Sequence, residues 1–297
     1  MANAIHRREF LKLSAGAAAT IALWGSAAEL LAQPKPESKM KKAVQYAMLP
    51  KDLSDADKFK LARKCGFEGI EGDANVERPQ AAWAEMGKIA KDQGTPIHSI
   101  VFGGWHAPMS DGNPEVQAKG VNEMKKTLAD AKAVGAGNIL LVPGIVTETV
   151  SYGQAYQRSQ ENIRKLIPTA TDLNVTIAVE NVWNKFLLSP LEFVRYVDEF
   201  ANPIVRAYFD VGNVILFGFS QDWIRTLGKR IARIHLKDFK RQGSQWTNLL
   251  DGDVNWKEVK KALDEVGYSG FLTPELGGGD EAYLTDLSKR IDRILQG

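Results

Sequence analysis

Eight times between Lys41 and Gly297 a short apolar run gives way to a longer amphipathic stretch, the alternation of an α/β domain. The spacing predicts strands over 43–49, 67–71, 96–102, 138–142, 175–180, 205–210, 231–236 and 268–275. It predicts helices over 54–66, 79–92, 152–173, 190–200, 221–227, 256–266 and 281–295, and one more opening at Asn113-Pro114. Eight such units match a single (β/α)8 TIM barrel, which typically takes about 250 residues. A doubly wound sheet usually has a glycine-rich phosphate loop after its first strand. Here that strand runs into Leu49-Pro50-Lys51-Asp52, and no phosphate-loop motif follows.

Composition removes several function classes. With a net charge of +2 and no basic cluster beyond Lys39-Met40-Lys41-Lys42, there is no electrostatic footprint for nucleic acid. A single cysteine, Cys65, excludes an internal disulfide, a CxxC redox pair and a cysteine zinc cluster. It sits on the apolar face of an expected helix, where a buried inert thiol is the simplest reading.

Residues 1–32 differ from the rest. His6-Arg7-Arg8-Glu9-Phe10-Leu11-Lys12 precedes a weakly apolar run from Leu13 to Ala28, and Pro34 and Pro36 then break the pattern. The run is too short and soft for a membrane helix. It resembles a Tat export signal, although His6 stands where Ser or Thr is commoner. The expected organisation is a cleavable signal over 1–32 (after Ala28 or Ala32), a linker over 33–42 and the barrel over 43–297. That implies a periplasmic or otherwise exported protein with no membrane span once mature.

Four apolar runs end abruptly on ligand-type residues: Glu180, Asp210, His235 and Glu275. In a TIM barrel the carboxyl ends of the strands form the active-site mouth, so strands five to eight bring these side chains to one side of it. Three carboxylates placed together without a cation repel at a cost of several kcal/mol. Three oxygen donors and one nitrogen suit a divalent ion, Mn²⁺ first, with Mg²⁺, Co²⁺ or Zn²⁺ as alternatives. Glu71, Trp105, His106 and Lys237 are further candidates for the pocket wall. Trp183, Trp246 and Trp256 read as packing residues, with Trp183 the best candidate for an exception.

Beyond the strand-end residues, the segments Phe209-Asp210-Val211-Gly212-Asn213, Ile234-His235-Leu236-Lys237-Asp238, Asp251-Gly252-Asp253-Val254-Asn255-Trp256 and 267–275 resemble the xylose-isomerase-like TIM-barrel family. The likeness is to its sugar phosphate isomerase/epimerase branch, which includes D-tagatose 3-epimerase and L-ribulose-5-phosphate 3-epimerase. It spans nearly all of 43–295. The resemblance implies one divalent metal held by Glu180, Asp210, His235 and Glu275, with Glu180 and Glu275 as the paired acid and base. It implies proton abstraction α to a carbonyl through a metal-stabilised enediolate, and a substrate-holding arginine at Arg241. Asn213 stands where these epimerases often carry a substrate-contacting histidine, and the segment after Glu180 lacks the further glutamate some of them use. The related endonuclease IV branch needs several histidines for three zinc ions; beyond the signal only His98, His106 and His235 are present.

The expected activity is a metal-dependent sugar isomerase or epimerase. Export favours an unphosphorylated small-molecule sugar, held by Arg241, Asn213, Trp105, His106, Glu71 and Lys237. One alternative is a lyase or dehydratase acting on a 3-keto-glycoside or inosose by the same proton abstraction. Another is a non-catalytic secreted sugar-binding barrel. A homo-oligomer is compatible with either.

Overall fold

The computed structural model describes residues 40–297. The expected signal over 1–32, and the expected linker up to residue 39, lie outside the described residues. The elements in chain order are β1 (Lys41–Gln45), α1 (Asp55–Lys64), β2 (Gly69–Asp73), α2 (Gln80–Asp92), β3 (Ile97–Phe102), α3 (Pro114–Val134), β4 (Asn138–Leu141), α4 (Tyr152–Arg164), α5 (Ile167–Leu173) and β5 (Thr176–Glu180). There follow α6 (Pro190–Asp198), β6 (Val205–Asp210), α7 (Ser220–Leu227), β7 (Ile231–Leu236), β8 (Asp238–Lys240), β9 (Gln245–Thr247), α8 (Trp256–Glu265), β10 (Phe271–Pro274) and α9 (Glu281–Gln296). Eight parallel strands close in the order β1-β10-β7-β6-β5-β4-β3-β2, so the chain is a (β/α)8 TIM barrel.

The apolar runs make strands buried on both faces. Outward residues such as Ile139, Ile177 and Phe209 join helix residues such as Leu128, Phe193 and Leu287 in one continuous layer. A small separate cluster of Leu140, Val142, Ala178, Tyr208 and Ala232 fills the barrel interior. Polar caps start the helices: Ser54, Asn113, Ser151, Ser189, Asn255 and Asp280 each accept a first-turn backbone N–H. Ser151 and Gln154 complete a reciprocal capping box.

Three expected elements change for local reasons. The helix expected over 152–173 divides into α4 and α5, because Pro168 occupies the first turn of α5 and has no N–H for a continuous ladder. The last barrel strand is shorter than 268–275: Gly267 adopts φ +70° and Tyr268 N–H donates back to Leu263, so the chain is still leaving α8 there. The first strand starts at Lys41, inside the stretch expected as linker, and its end tightens into a 3₁₀ turn over Tyr46–Met48.

The polar loop after β7 is more ordered than its composition suggests. β8 and β9 pair antiparallel. The fully buried carboxylate of Asp238 accepts from the N–H groups of Phe239, Leu250, Gly252 and Val254 and from Trp256 Nε1, at 2.8–3.2 Å. A side chain at Gly252 would collide with that carboxylate, so only glycine lets the loop close this tightly. Asp238→Ala leaves several buried donors unpaired and is expected to destabilise the fold by about 3 kcal/mol or more. Urea denaturation measures this, and an unchanged midpoint would show that the loop is not held this way.

Candidate metal centre and cavity

Glu180 ends β5, Asp210 ends β6, His235 lies near the end of β7, and Glu275 follows β10. Barrel register brings the four together. Asp210 pairs with His235, Thr273 pairs with His235, and Glu275 N–H donates to Leu236 O at 3.1 Å. One ligand atom from each lies within 4.8 Å of the others. Glu180, Asp210 and His235 are buried, while Glu275 faces the mouth.

His235 Nδ1 lies 2.8 Å from Glu180 Oε1 and 3.1 Å from Glu275 Oε2. Its Nε2 lies 2.6 Å from Glu71 Oε2. Glu71 also accepts from Tyr208 Oη at 2.6 Å and from Gln45 Nε2 at 3.3 Å. Glu71 therefore sits fully buried beneath the imidazole, and is not the cavity-wall substrate contact expected from sequence. It leaves Nδ1 facing the carboxylates, the arrangement by which a carboxylate orients a metal-binding histidine.

Around Asp210 the backbone is clamped by amides. Asn181 exchanges two hydrogen bonds with the Asp210 main chain, and Asn213 Nδ2 donates to Asn181 O at 2.9 Å. Asp210 Oδ1 accepts from Asn213 N–H at 2.7 Å, whereas Oδ2 is buried and receives no hydrogen bond. Glu275 Oε2 also lacks a well-directed hydrogen bond, although Lys237 Nζ is 2.7 Å away and His235 is close. Lys237 stands 3.5 Å from Asp210 Oδ2. Orphaned carboxylate oxygens, convergence of four donors and a hard O₃N set all fit a divalent cation.

The electrostatics show what such a cation would relieve. Burial, reinforced by Glu275 and Asp210, pushes Glu180 up to about 7 against the pull of His235. Burial also raises Asp210. At Glu275 burial opposes ionisation, but His235 and Lys237 outweigh it and hold the carboxyl below its ordinary range. Burial disfavours a charged His235, yet Glu71, Glu275 and Glu180 raise it well above the usual imidazole value. Without an added cation, protonated His235 and Lys237 are the positive charges that balance the carboxylates.

Above this floor lies a cavity of about 470 Å³, lined by Glu180, Glu275, Lys237 and Asn213, by aliphatic side chains from β3 and β4, and by Trp105, Trp183 and Trp246. Trp183 Nε1 donates to Asn213 O, and its ring lies 5.0 Å from that of Trp246. Trp246, for which the sequence suggests a packing role, comes from the β8–β9 hairpin and lines the cavity instead. Two expected substrate contacts do not reach this cavity. Arg241 Nε donates to Ile215 O, and its guanidinium lies over Phe219. His106 turns outward to Glu123 at 2.6 Å. Asn213 lines the wall, but its amide is committed to Asn181. His98 is away from the centre, stacked on Phe271 and bonded to Arg233 and Thr273.

Below about pH 7 Glu180 holds a proton that a metal must displace, and protonated His235 competes in the same sense. Both raised values mean that acid opposes binding, so the apparent Kd for Mn²⁺ is expected to rise about tenfold or more per unit as pH falls from 7. Calorimetric titration across that range checks it; a flat profile would contradict it. Glu71→Gln should weaken Mn²⁺ binding about 10–100-fold while preserving the fold, and unchanged affinity would remove Glu71 from the centre.

Comparison with known proteins agrees with this architecture. The profile described as Xylose isomerase-like TIM barrel matches residues 59–293. A Haemophilus influenzae protein, provisionally named an L-ribulose-5-phosphate 3-epimerase, is 26% identical over 210 residues, covering 67% of this chain and 73% of its own. The crystal structure of D-psicose 3-epimerase in the presence of D-fructose has a TM-score of 0.74 at 21% identity, covering 87% of this chain and 100% of that one. That of 3-keto-D-glucoside 4-epimerase from E. coli has a TM-score of 0.74 at 16% identity, with the same coverages. The structural likeness concerns the fold, and the profile spans most of the barrel. The chain belongs to the xylose isomerase-like TIM-barrel family.

Proposed function

We propose that this protein is a divalent-metal-dependent epimerase or isomerase of an unphosphorylated keto-sugar, working by proton abstraction α to the carbonyl. The observation that carries the reading is the placement of Glu180 and Glu275 at one cavity floor with Asp210 and His235. The epimerase names of the related proteins support it.

Glu180, Asp210, His235 and Glu275 would hold the ion, and a bound divalent ion supplies Lewis-acid stabilisation of negative charge developing on substrate oxygens. The two glutamates are placed differently, Glu180 buried and Glu275 at the mouth beside Lys237. Glu275, ionised and at the mouth, takes the α-proton. Glu180, after taking up a proton from solvent, would deliver it to the opposite face of the planar enediolate, inverting the carbon. Lys237 holds Glu275 and donates toward the developing oxyanion. Glu71 and Asn181 keep His235 and Asp210 in place.

The wall argues for a neutral sugar. Lys237 is the only cationic side chain lining the cavity among the described residues, and it is engaged by Glu275 and Asp210. A phosphate there would have to share that one lysine with two carboxylates. Tryptophan faces instead match the C–H faces of a sugar ring. A neutral substrate also accords with export, which we infer from the twin-arginine segment at 6–12.

A lyase or dehydratase acting on a 3-keto-glycoside is the second reading. It is favoured by Lys237 as a proton donor beside the base and by the three tryptophans, which offer surface for a second ring. Turnover of keto-sugars in D₂O separates the two. Epimerisation places deuterium at the α-carbon and yields a new epimer; release of an aglycone or water without an epimer contradicts it. Glu275→Gln should lower kcat by about 10³-fold or more while leaving sugar affinity within a few-fold, and unchanged turnover would remove Glu275 from proton transfer.

A further inference from the structure

The opposite end of the barrel carries a second cavity, of about 520 Å³, at the amino ends of β7 and β10. Its only charged lining residues are Arg206, Lys229 and Arg233. Arg206 and Arg233 come from neighbouring strands whose register shifts between Ala207 and Tyr208, leaving Ala232 as the extra residue. Such a bulge re-aims side chains, and here both arginines reach the same mouth.

None of the three cations has a carboxylate partner among the described residues, whereas Arg195, Arg225, Arg230 and Arg290 each pair with one. Neutral groups fix the two guanidiniums instead. Arg206 Nη2 donates to Lys229 O and Ile231 O at 2.7 and 2.8 Å. Arg233 donates through Nη1 to Ala232 O and through Nε to His98 Nδ1, at 2.8 and 3.2 Å. Among the described residues, no acceptor is bonded to Arg206 Nε and Nη1, Arg233 Nη2 or Lys229 Nζ. Burial, and then the charge of Arg233, disfavour the ionised form of Arg206. Two half-buried guanidiniums, held by carbonyls and an imidazole and lining one cavity, suit an oxyanion.

We propose that this mouth is an anion site for a phosphate group, free or carried on a small organic body, remote from the acidic floor. Three positive side chains outweigh the charge of a dianion, and the cavity leaves room beyond the phosphate for an attached body.

The test is thermal unfolding and calorimetric titration of the full chain with inorganic phosphate at constant ionic strength against chloride. The protein is chelator-treated, so that no metal at the other mouth provides an anion site. Saturable one-site binding is expected, weakened about tenfold or more in Arg206→Gln and in Arg233→Gln. Lys229→Glu, on an exposed turn, should weaken it comparably, which keeps the test decisive if an arginine variant fails to fold. A sugar phosphate binding tighter than inorganic phosphate would show that the body contributes; equal affinity would assign the site to the phosphate group alone. A response no different from chloride, or unchanged affinity in all three variants, would overturn the proposal.

Discussion

Repulsion among Glu180, Asp210 and Glu275 around one imidazole is the constraint on which the site depends. Ligand atoms of all four residues lie within 4.8 Å of one another, at the end of a barrel whose walls are hydrocarbon. Such a set persists only with compensating positive charge. Lys237 and protonated His235 can provide it, and the buried Asp210 Oδ2 with no hydrogen bond marks where they do so incompletely. A divalent cation at that point would satisfy the orphaned oxygen and bring Glu180 to its ionised form.

The surrounding structure serves to hold that unfavourable arrangement in register. Barrel closure sets Asp210 beside His235, and Asn181 ties β5 to β6 one residue beyond Glu180. Glu71 and Tyr208 fix the imidazole from below. On the far side of β7, Asp238 organises five donors so that the β8–β9 hairpin delivers Trp246 to the cavity. Floor and wall are thus built by different devices. Hydrogen bonds between strand ends make the floor, and one buried carboxylate folds the loop that makes part of the wall.

The barrel was legible because its signal is local and repeated: each strand is a brief apolar run, and six of the nine helices among the described residues open on a polar cap. Glu180, Asp210, His235 and Glu275 stood out for a similar reason, since each interrupts an apolar run where a parallel strand should end. What sequence spacing could not show depends on register and on long-range contacts. A register shift between Ile70 and Glu71 accompanies the turn of Glu71 inward beneath His235, and nothing in Gly69–Asp73 announces it. Trp246 reaches the cavity only through the distant donors gathered by Asp238. Arg241 has the right separation from His235 to hold substrate, yet Ile215 O and Phe219 draw it aside. Pro168 lies inside the stretch expected as one helix over 152–173, and its lost donor accounts for the division.

In the proposed site His235 is the only nitrogen ligand of one divalent ion, with carboxylates completing the protein's share. Pulsed electron paramagnetic resonance of protein loaded with a single equivalent of Mn²⁺ reads this directly. One directly bound ¹⁴N is expected in the wild type and none in His235→Gln. Mn²⁺ that stays fully hydrated, or a nitrogen coupling that survives the loss of His235, would contradict it.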